Sequence, residues 1–299
     1  MIPNLDLNNL VIFYIVAKEK SLSAAADKLF LTQPAVTYRI KSLEKYTGVK
    51  LLEFKKRQAT LTPHGEELFR YAEDIYRQLV NADMLIKSAT ESYLRAGIAS
   101  MYTATVGPVV KQMFEEIPQV NLTVRSGDAA TMVQDVLDLY LDLAIVPHFD
   151  YNVGKLSRIT VSGPQKIVCF ASTDQTIEGE PLSWKDMSNY PLVSGPESSV
   201  IRKVILAKLK SEGLELQKFA AEVNNTEWCK TLVENGKGLS FTIAEDIAGQ
   251  VSEVRLKTVA LDEDMFLTAE VIMRSDTFMN PHIKQFIRLV KKAFGYKGK

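Results

Sequence analysis

Within the run SLSAAADKLFLTQPAVTYRIKSLEKYTGV, Ser21 to Val49, stand the residue types best suited to chemistry on a polymer. A glutamine such as Gln33 can pair bidentately with adenine, and Pro34 or Thr37 can pack on a thymine methyl. Lys41 can neutralise a phosphate. Thr32 offers an N-cap oxygen and Pro34 falls within the first turn, where its missing N–H costs nothing, so a helix is expected from Gln33. Val36, Ile40 and Leu43 recur at i, i+4 and i+7 and turn to a core. Thr32, Gln33, Pro34, Thr37, Tyr38 and Lys41 are then left for the outer face and the helix start. After Gly48, LLEFKKRQATLT alternates loosely around Lys55, Lys56 and Arg57 and reads as a two-stranded wing. A basic tip of this kind can hold the backbone beside a groove.

Other chemistries leave no comparable trace. The three histidines, His64, His148 and His282, fall in different predicted units, so no triad suggests itself. The chain carries no nucleophile elbow, phosphate loop or dinucleotide fingerprint, and an enzyme is not expected. Cys169 and Cys229 are far apart and lack ligand spacing. They are expected to be buried small hydrophobes, with no metal site and no cofactor.

Net charge is zero over 299 residues, but it is unevenly placed. Residues 1–60 hold ten cations against five anions, leaving the remainder of the chain negative by the same margin. A basic head on an acidic body is the asymmetry expected where one domain meets phosphate and the other does not. The start MIPNLDLNNL lacks a basic, apolar leader, and no apolar run reaches membrane-spanning length. A cytoplasmic location and no membrane partner are expected.

The elements that must position these residues follow from periodicity. Leu10, Phe13, Tyr14 and Ala17 mark a first helix, ending near Lys18 to Lys20. A second, capped by Ser21 or Ser23, runs from Ala24 to Phe30 with a small face for close crossing. Thr62 and Pro63 open a long helix in which Leu68, Ala72, Ile75, Leu79, Ala82, Ile86 and Ala89 form an a/d seam, expected to pair with a partner helix. From Arg95 onward strands alternate with helices, implying α/β units on mostly parallel sheets. LTAEVIMR reads as the final strand and HIKQFIRLVKKAF as the final helix.

The chain resembles the LysR-type transcriptional regulators. The resemblance rests on Ala24-Ala25-Ala26 with Leu29, Thr32-Gln33-Pro34-Ala35-Val36-Thr37, Ile40, Leu43-Glu44, Gly48-Val49 and Leu61-Thr62-Pro63-His64-Gly65. Tyr38 and Phe54 stand where that family often has arginine, which leaves the wing's charge to Lys55, Lys56 and Arg57. The resemblance implies a winged helix-turn-helix at 1–62, a linker and dimerisation helix at 63–92, and an α/β effector-binding domain at 93–299. That domain would have two periplasmic-binding-protein-like lobes, lobe I at about 93–161 and 266–299 and lobe II at about 162–265. Chain crossings are expected near Thr160 to Pro164 and Leu261 to Leu267.

Ligands of such folds sit at strand carboxyl ends between lobes. Ser100, Met101, Tyr102, Thr103, Thr131 and His148 from lobe I, with Ser194, Ser198 and Thr226 from lobe II, are the expected contacts to a small organic anion. Expected partners are double-stranded promoter DNA, the effector, a second or further copy forming a dimer or tetramer, and RNA polymerase if the protein activates. The competing readings are a cytoplasmic solute-binding module and a redox-sensing regulator using Cys169 and Cys229. The family's peroxide sensors, however, use a closer cysteine pair than this chain has.

Overall fold

The computed structural model describes residues 5–55, 58–90, 93–151, 154, 156–179, 181–216, 219–277 and 279–297. The chain forms two compact units, 1–86 and 87–299.

In the first unit, α1 (Leu7–Glu19), α2 (Leu22–Leu29) and α3 (Gln33–Thr47) precede a hairpin of β1 (Leu52–Lys55) and β2 (Gln58–Leu61). The caps are those the sequence offers: Ser21 accepts from the Ala24 N–H, Thr32 from the Ala35 N–H, and Gly48 ends α3 at φ 75°. Leu10, Phe13, Val16, Ala25, Val36, Ile40, Leu43 and Leu51 make the core. The hairpin pairs Leu52 with Leu61 through Lys55 with Gln58.

The long helix α4 (Pro63–Thr90) begins where Thr62 accepts from the Gly65 N–H and donates to the Lys50 carbonyl. Glycine is required at 65, because a Cβ there would lie 2.1 Å from the Leu51 carbonyl oxygen. The expected seam is divided. Ala72 is fully buried in the head's own core, and Leu68 and Ile75 pack against that core beside Phe69 and Tyr76. Tyr14 of α1 stacks on Phe69 at 5.2 Å and lies tilted against Tyr76 at 5.0 Å. Leu68, Ala72 and Ile75 thus cover their own domain, because α1 needs a hydrophobic lid. Leu79 and Ile86 remain exposed at 43% and 66%, and Ala82 is exposed too.

In the second unit, one sheet has the order β4-β3-β5-β13-β6. Its strands are β3 (Tyr93–Ala99), β4 (Asn121–Gly127), β5 (Leu143–Pro147), β6 (Leu156–Thr160) and β13 (Ala269–Arg274). Strands β4, β3 and β5 are parallel, linked through α5 (Thr103–Glu116) and α6 (Ala129–Leu137), as parallel neighbours require crossover helices. β13 lies antiparallel between β5 and β6.

The other lobe is built on β7 (Gln165–Ser172), which pairs antiparallel with β10 (Ser240–Ile243), β11 (Leu256–Val259) and β12 (Met265–Leu267). β8 (Leu192–Ser194) and β9 (Phe219–Glu222) pair in parallel alongside. Helices α7 (Trp184–Met187), α8 (Val200–Ser211), α9 (Thr226–Glu234) and α10 (Ala244–Ser252) belong to this lobe, and α11 (Pro281–Ala293) returns to the first, packing on α5.

The expectation of mostly parallel sheets is therefore corrected. Where the chain enters or leaves a lobe it arrives without a crossover helix and pairs antiparallel, as β7, β12 and β13 do. LTAEVIMR is two strands, not one: Leu267 ends β12 on the second lobe's sheet, Thr268 crosses, and Ala269 begins β13 on the first. The other crossing is at 161–164, within the expected segment.

Candidate functional site

The head presents α3 as the periodicity requires. Val36, Ile40 and Leu43 are buried, while Thr32, Gln33, Pro34, Tyr38 and Lys41 are exposed and Thr37 is half-exposed. Ser23 of α2 donates to Gln33 Oε1 at 3.2 Å, which orients the amide at the helix start. The Thr37 hydroxyl donates to the Gln33 carbonyl at 2.9 Å, so its hydrogen bond is spent on the helix and its methyl is the group left to contact an apolar partner. Tyr38 is 70% exposed. Arg39, by contrast, reaches back to Asp6, the N-cap of α1, and to Asn9 on that helix. Phe30, in the turn before α3, is 96% exposed at φ 53°, a prominence that helical spacing alone did not suggest.

Glu44 fixes the wing to the recognition helix. It is buried, its Oε1 accepts from the Leu51 and Leu52 N–H groups at 3.0 and 3.4 Å, and its Oε2 accepts from Lys50 at 2.6 Å. Burial pushes its pKa up, but Lys50 and the two backbone donors outweigh burial and leave it below the ordinary glutamate value. Lys55 is at the exposed end of β1, whereas Lys56 and Arg57 lie outside the described residues.

In the second unit, strand carboxyl ends and helix starts from both lobes enclose a cavity of about 70 Å³. Ser100, Met101, Gly127 and Asp128 line it from lobe I; Ser194, Ser199, Arg202, Asn225, Thr226 and Thr242 line it from lobe II. Among the described residues, hydrogen bonds span the cleft from Ser100 Oγ to Thr226 Oγ1 at 2.8 Å and from Ser198 Oγ to Asp128 Oδ2 at 3.0 Å. Behind the cavity, Lys230 donates to the Asp246 carboxylate and carbonyl and to Glu227, while Thr242 donates to the other Asp246 oxygen. Burial pulls the Lys230 pKa down, but Asp246 and Glu227 outweigh it and hold the ammonium charged. This network fixes the start of α9, and so Thr226, against α10.

Of the expected contacts, Ser100, Met101, Ser194 and Thr226 line the cavity, and Ser198 sits at its rim on Asp128. Others are placed elsewhere. Tyr102 is wholly buried, edge-on to Phe294 at 5.5 Å, and burial keeps its phenol neutral. Thr103 bonds Ser126, and the exposed Thr131 gives only its backbone N–H to Asp128. His148 pairs with buried Glu270 at 3.0 Å, which also holds Arg158 at 2.9 Å. Its backbone N–H donates to the Thr268 carbonyl, so His148 is tied to the chain crossing. Tyr102, Thr103 and Thr131 fall away from the cavity because they lie in the turn or helix that follows a strand, where successive side chains rotate away from the cleft, and His148 is drawn to Glu270. Arg202 and Thr242 were not expected; both lie inside regular elements, where only the tertiary fold selects the face.

Cys169 and Cys229 are both buried, and burial pushes the Cys229 thiol up to about 11 and Cys169 higher still. Neither is poised as a thiolate. Among the described residues no group of side chains could hold a metal ion, and no helix is long and apolar enough to cross a membrane.

Two family models match this chain: "LysR substrate binding domain" over residues 90–295 and "Bacterial regulatory helix-turn-helix protein, lysR family" over residues 7–66. The HTH-type transcriptional regulator YofA of Bacillus velezensis is 28% identical over 292 residues, covering 96% of this chain and 98% of that one. CzcR of Bacillus thuringiensis, also an HTH-type transcriptional regulator, is 25% identical over 302 residues, covering 96% and 94%. Among solved structures, a full-length OxyR variant from Pseudomonas aeruginosa aligns with TM-score 0.66 at 17% identity, covering 98% of this chain and 95% of that one. CbnR in complex with its target DNA aligns with TM-score 0.61 at 16% identity, covering 97% and 100%.

Proposed function

Since this chain belongs to the LysR family of transcriptional regulators, with a DNA-binding head and an effector-binding domain, we propose that Gln33, Pro34, Thr37 and Tyr38 read base edges in a promoter's major groove. Thr32 and the start of α3, with Lys41, Lys55, Lys56 and Arg57, hold phosphate. A small organic acid enters the cavity between the lobes and biases the hinge at 161–164 and Thr268. The observation that carries the first part is the outer face of α3, where a glutamine amide oriented by Ser23 stands exposed beside a threonine methyl.

A ligand favours one hinge angle only by its difference in affinity for the two states, and DNA must then influence effector affinity in return. Self-association through the exposed part of α4 is supported by Leu79 and Ile86, large apolar side chains left exposed seven residues apart on one helix face. A cytoplasmic location and, if the protein activates, a contact with RNA polymerase belong to the same proposal. No cofactor is part of it.

The decisive experiment is binding to the cognate operator and to random DNA across a salt series. Gln33→Ala should cost about 1–3 kcal/mol on the operator and little on random DNA. Lys41→Ala should weaken both alike and lower the salt slope by about one unit. Equal losses on both DNAs for Gln33→Ala would sink the readout role.

A further inference from the structure

The charges facing the cavity define what it can hold, and they are few. Of the lining residues only Asp128, from lobe I, and Arg202, from lobe II, carry formal charge. Asp128 caps α6. Its Oδ2 accepts from the Ala130 and Thr131 N–H groups at 3.1 and 3.4 Å and from Ser198 Oγ at 3.0 Å. Its Oδ1 accepts no hydrogen bond among the described residues, so one carboxylate oxygen remains to be used. Arg202 is differently placed: Nη1 donates to the Gly195 carbonyl at 3.1 Å and to Glu222 at 2.5 Å, and the guanidinium lies 4.4 Å from the Phe219 ring centroid. Its Nε is buried and lacks a partner among the described residues.

A simple carboxylate against the lobe I wall would bring its charge close to Asp128, the charged residue that lobe contributes to the lining among the described residues. An acid that also carries an amine would answer both charged lining residues, Asp128 and Arg202. Size adds a second restriction. Admitting a single water takes at least roughly 10–15 Å³ of such space, so a cavity of about 70 Å³ has room for more than water and favours a compact ligand. A compact ligand suits this space while the lobes are joined through Ser100–Thr226 and Ser198–Asp128.

We propose that the cleft takes a compact zwitterion of the size of a small amino acid, its ammonium on Asp128 Oδ1 and its carboxylate towards Arg202 and the first turn of α8. This rests on the reading of the cleft as the effector site and specifies the chemistry that site selects. Protonated amine and carboxylate meet complementary charge on opposite lobes, so the same ligand that neutralises Asp128 also bridges the cleft.

The test is calorimetric titration of the full-length protein, without DNA, using alanine and serine against propionate and lactate, which lack the amine, and ethylamine, which lacks the carboxylate. The amino acids should bind at least about tenfold more tightly than either truncated class, a difference of about 1.4 kcal/mol. Asp128→Asn keeps the cap, since asparagine caps as well as aspartate, and should abolish the preference for the amine while leaving the unfolding temperature within a few degrees. A purely structural Asp128 would leave that preference in place. Propionate or lactate binding as well as the amino acids, an Asp128→Asn variant that still prefers the amine, or no binding by alanine or serine at millimolar concentration would each overturn the proposal. Binding of the carboxylates alone would overturn the zwitterion while keeping the cleft as an effector site, and loss of DNA binding is read in the separate operator experiment.

Discussion

Replacing Glu44 by alanine should separate the wing from the recognition helix. The side chain is 8% exposed, and Leu51 and Leu52, whose N–H groups it accepts, are 1% and 3% exposed. Leaving a buried backbone donor unpaired costs about 1–3 kcal/mol. The Lys50 contact adds little, because that side chain is 74% exposed and returns to water. A loss of about 2 kcal/mol, in a head of this size, corresponds to a fall of roughly 8–16 °C in unfolding temperature. Hydrogen exchange of the peptide covering Leu51 and Leu52 in the full-length protein reads the effect locally, and Glu44→Gln, which retains one acceptor, should fall between.

The pH dependence carries a definite sign. The folded carboxylate's pKa is depressed, so its contribution is fully present above the unfolded glutamate value and is lost as pH falls through the folded value. The gap between wild type and Glu44→Ala should therefore narrow in acid. Unchanged protection of Leu51 and Leu52 in the alanine variant would refute the role assigned to this carboxylate.

Leu79→Asp should leave the head folded, since Leu79 is 43% exposed, yet reduce the assembly seen by sedimentation; an unchanged sedimentation profile would remove this residue from the interface. Lys230→Met should cost about 3–5 kcal/mol by stranding Asp246, which is buried at 3%, whereas Lys230→Met with Asp246→Leu should recover much of it. Denaturant unfolding of the effector domain's two tryptophans, Trp184 and Trp228, checks both variants, and an equal loss in single and double variants would contradict the pairing.

Local sequence determined a good deal of this protein. The caps at Ser21, Thr32, Thr62 and Gly48, and the buried stripe Val36, Ile40, Leu43, were legible because each depends on residues within a few positions of one another. The division of the α4 seam was not. A heptad records that a face is apolar, without recording which surface covers it, and Tyr14 of α1 claimed Phe69 and Tyr76 on the same helix for the head. In the cleft, loops after strands could be picked out, and Ser100 and Thr226 fell where expected. Tyr102, two residues along, went to the core because its side chain projects from the opposite side of the same short turn. Arg202 and Thr242 became cavity residues only through the approach of elements distant in the chain. The pairing of Ser100 with Thr226 and of Asp128 with Ser198 likewise needs both lobes in place. Composition and spacing decide which residues can bond, and the chain crossings at 161–164 and Thr268 decide which of them meet.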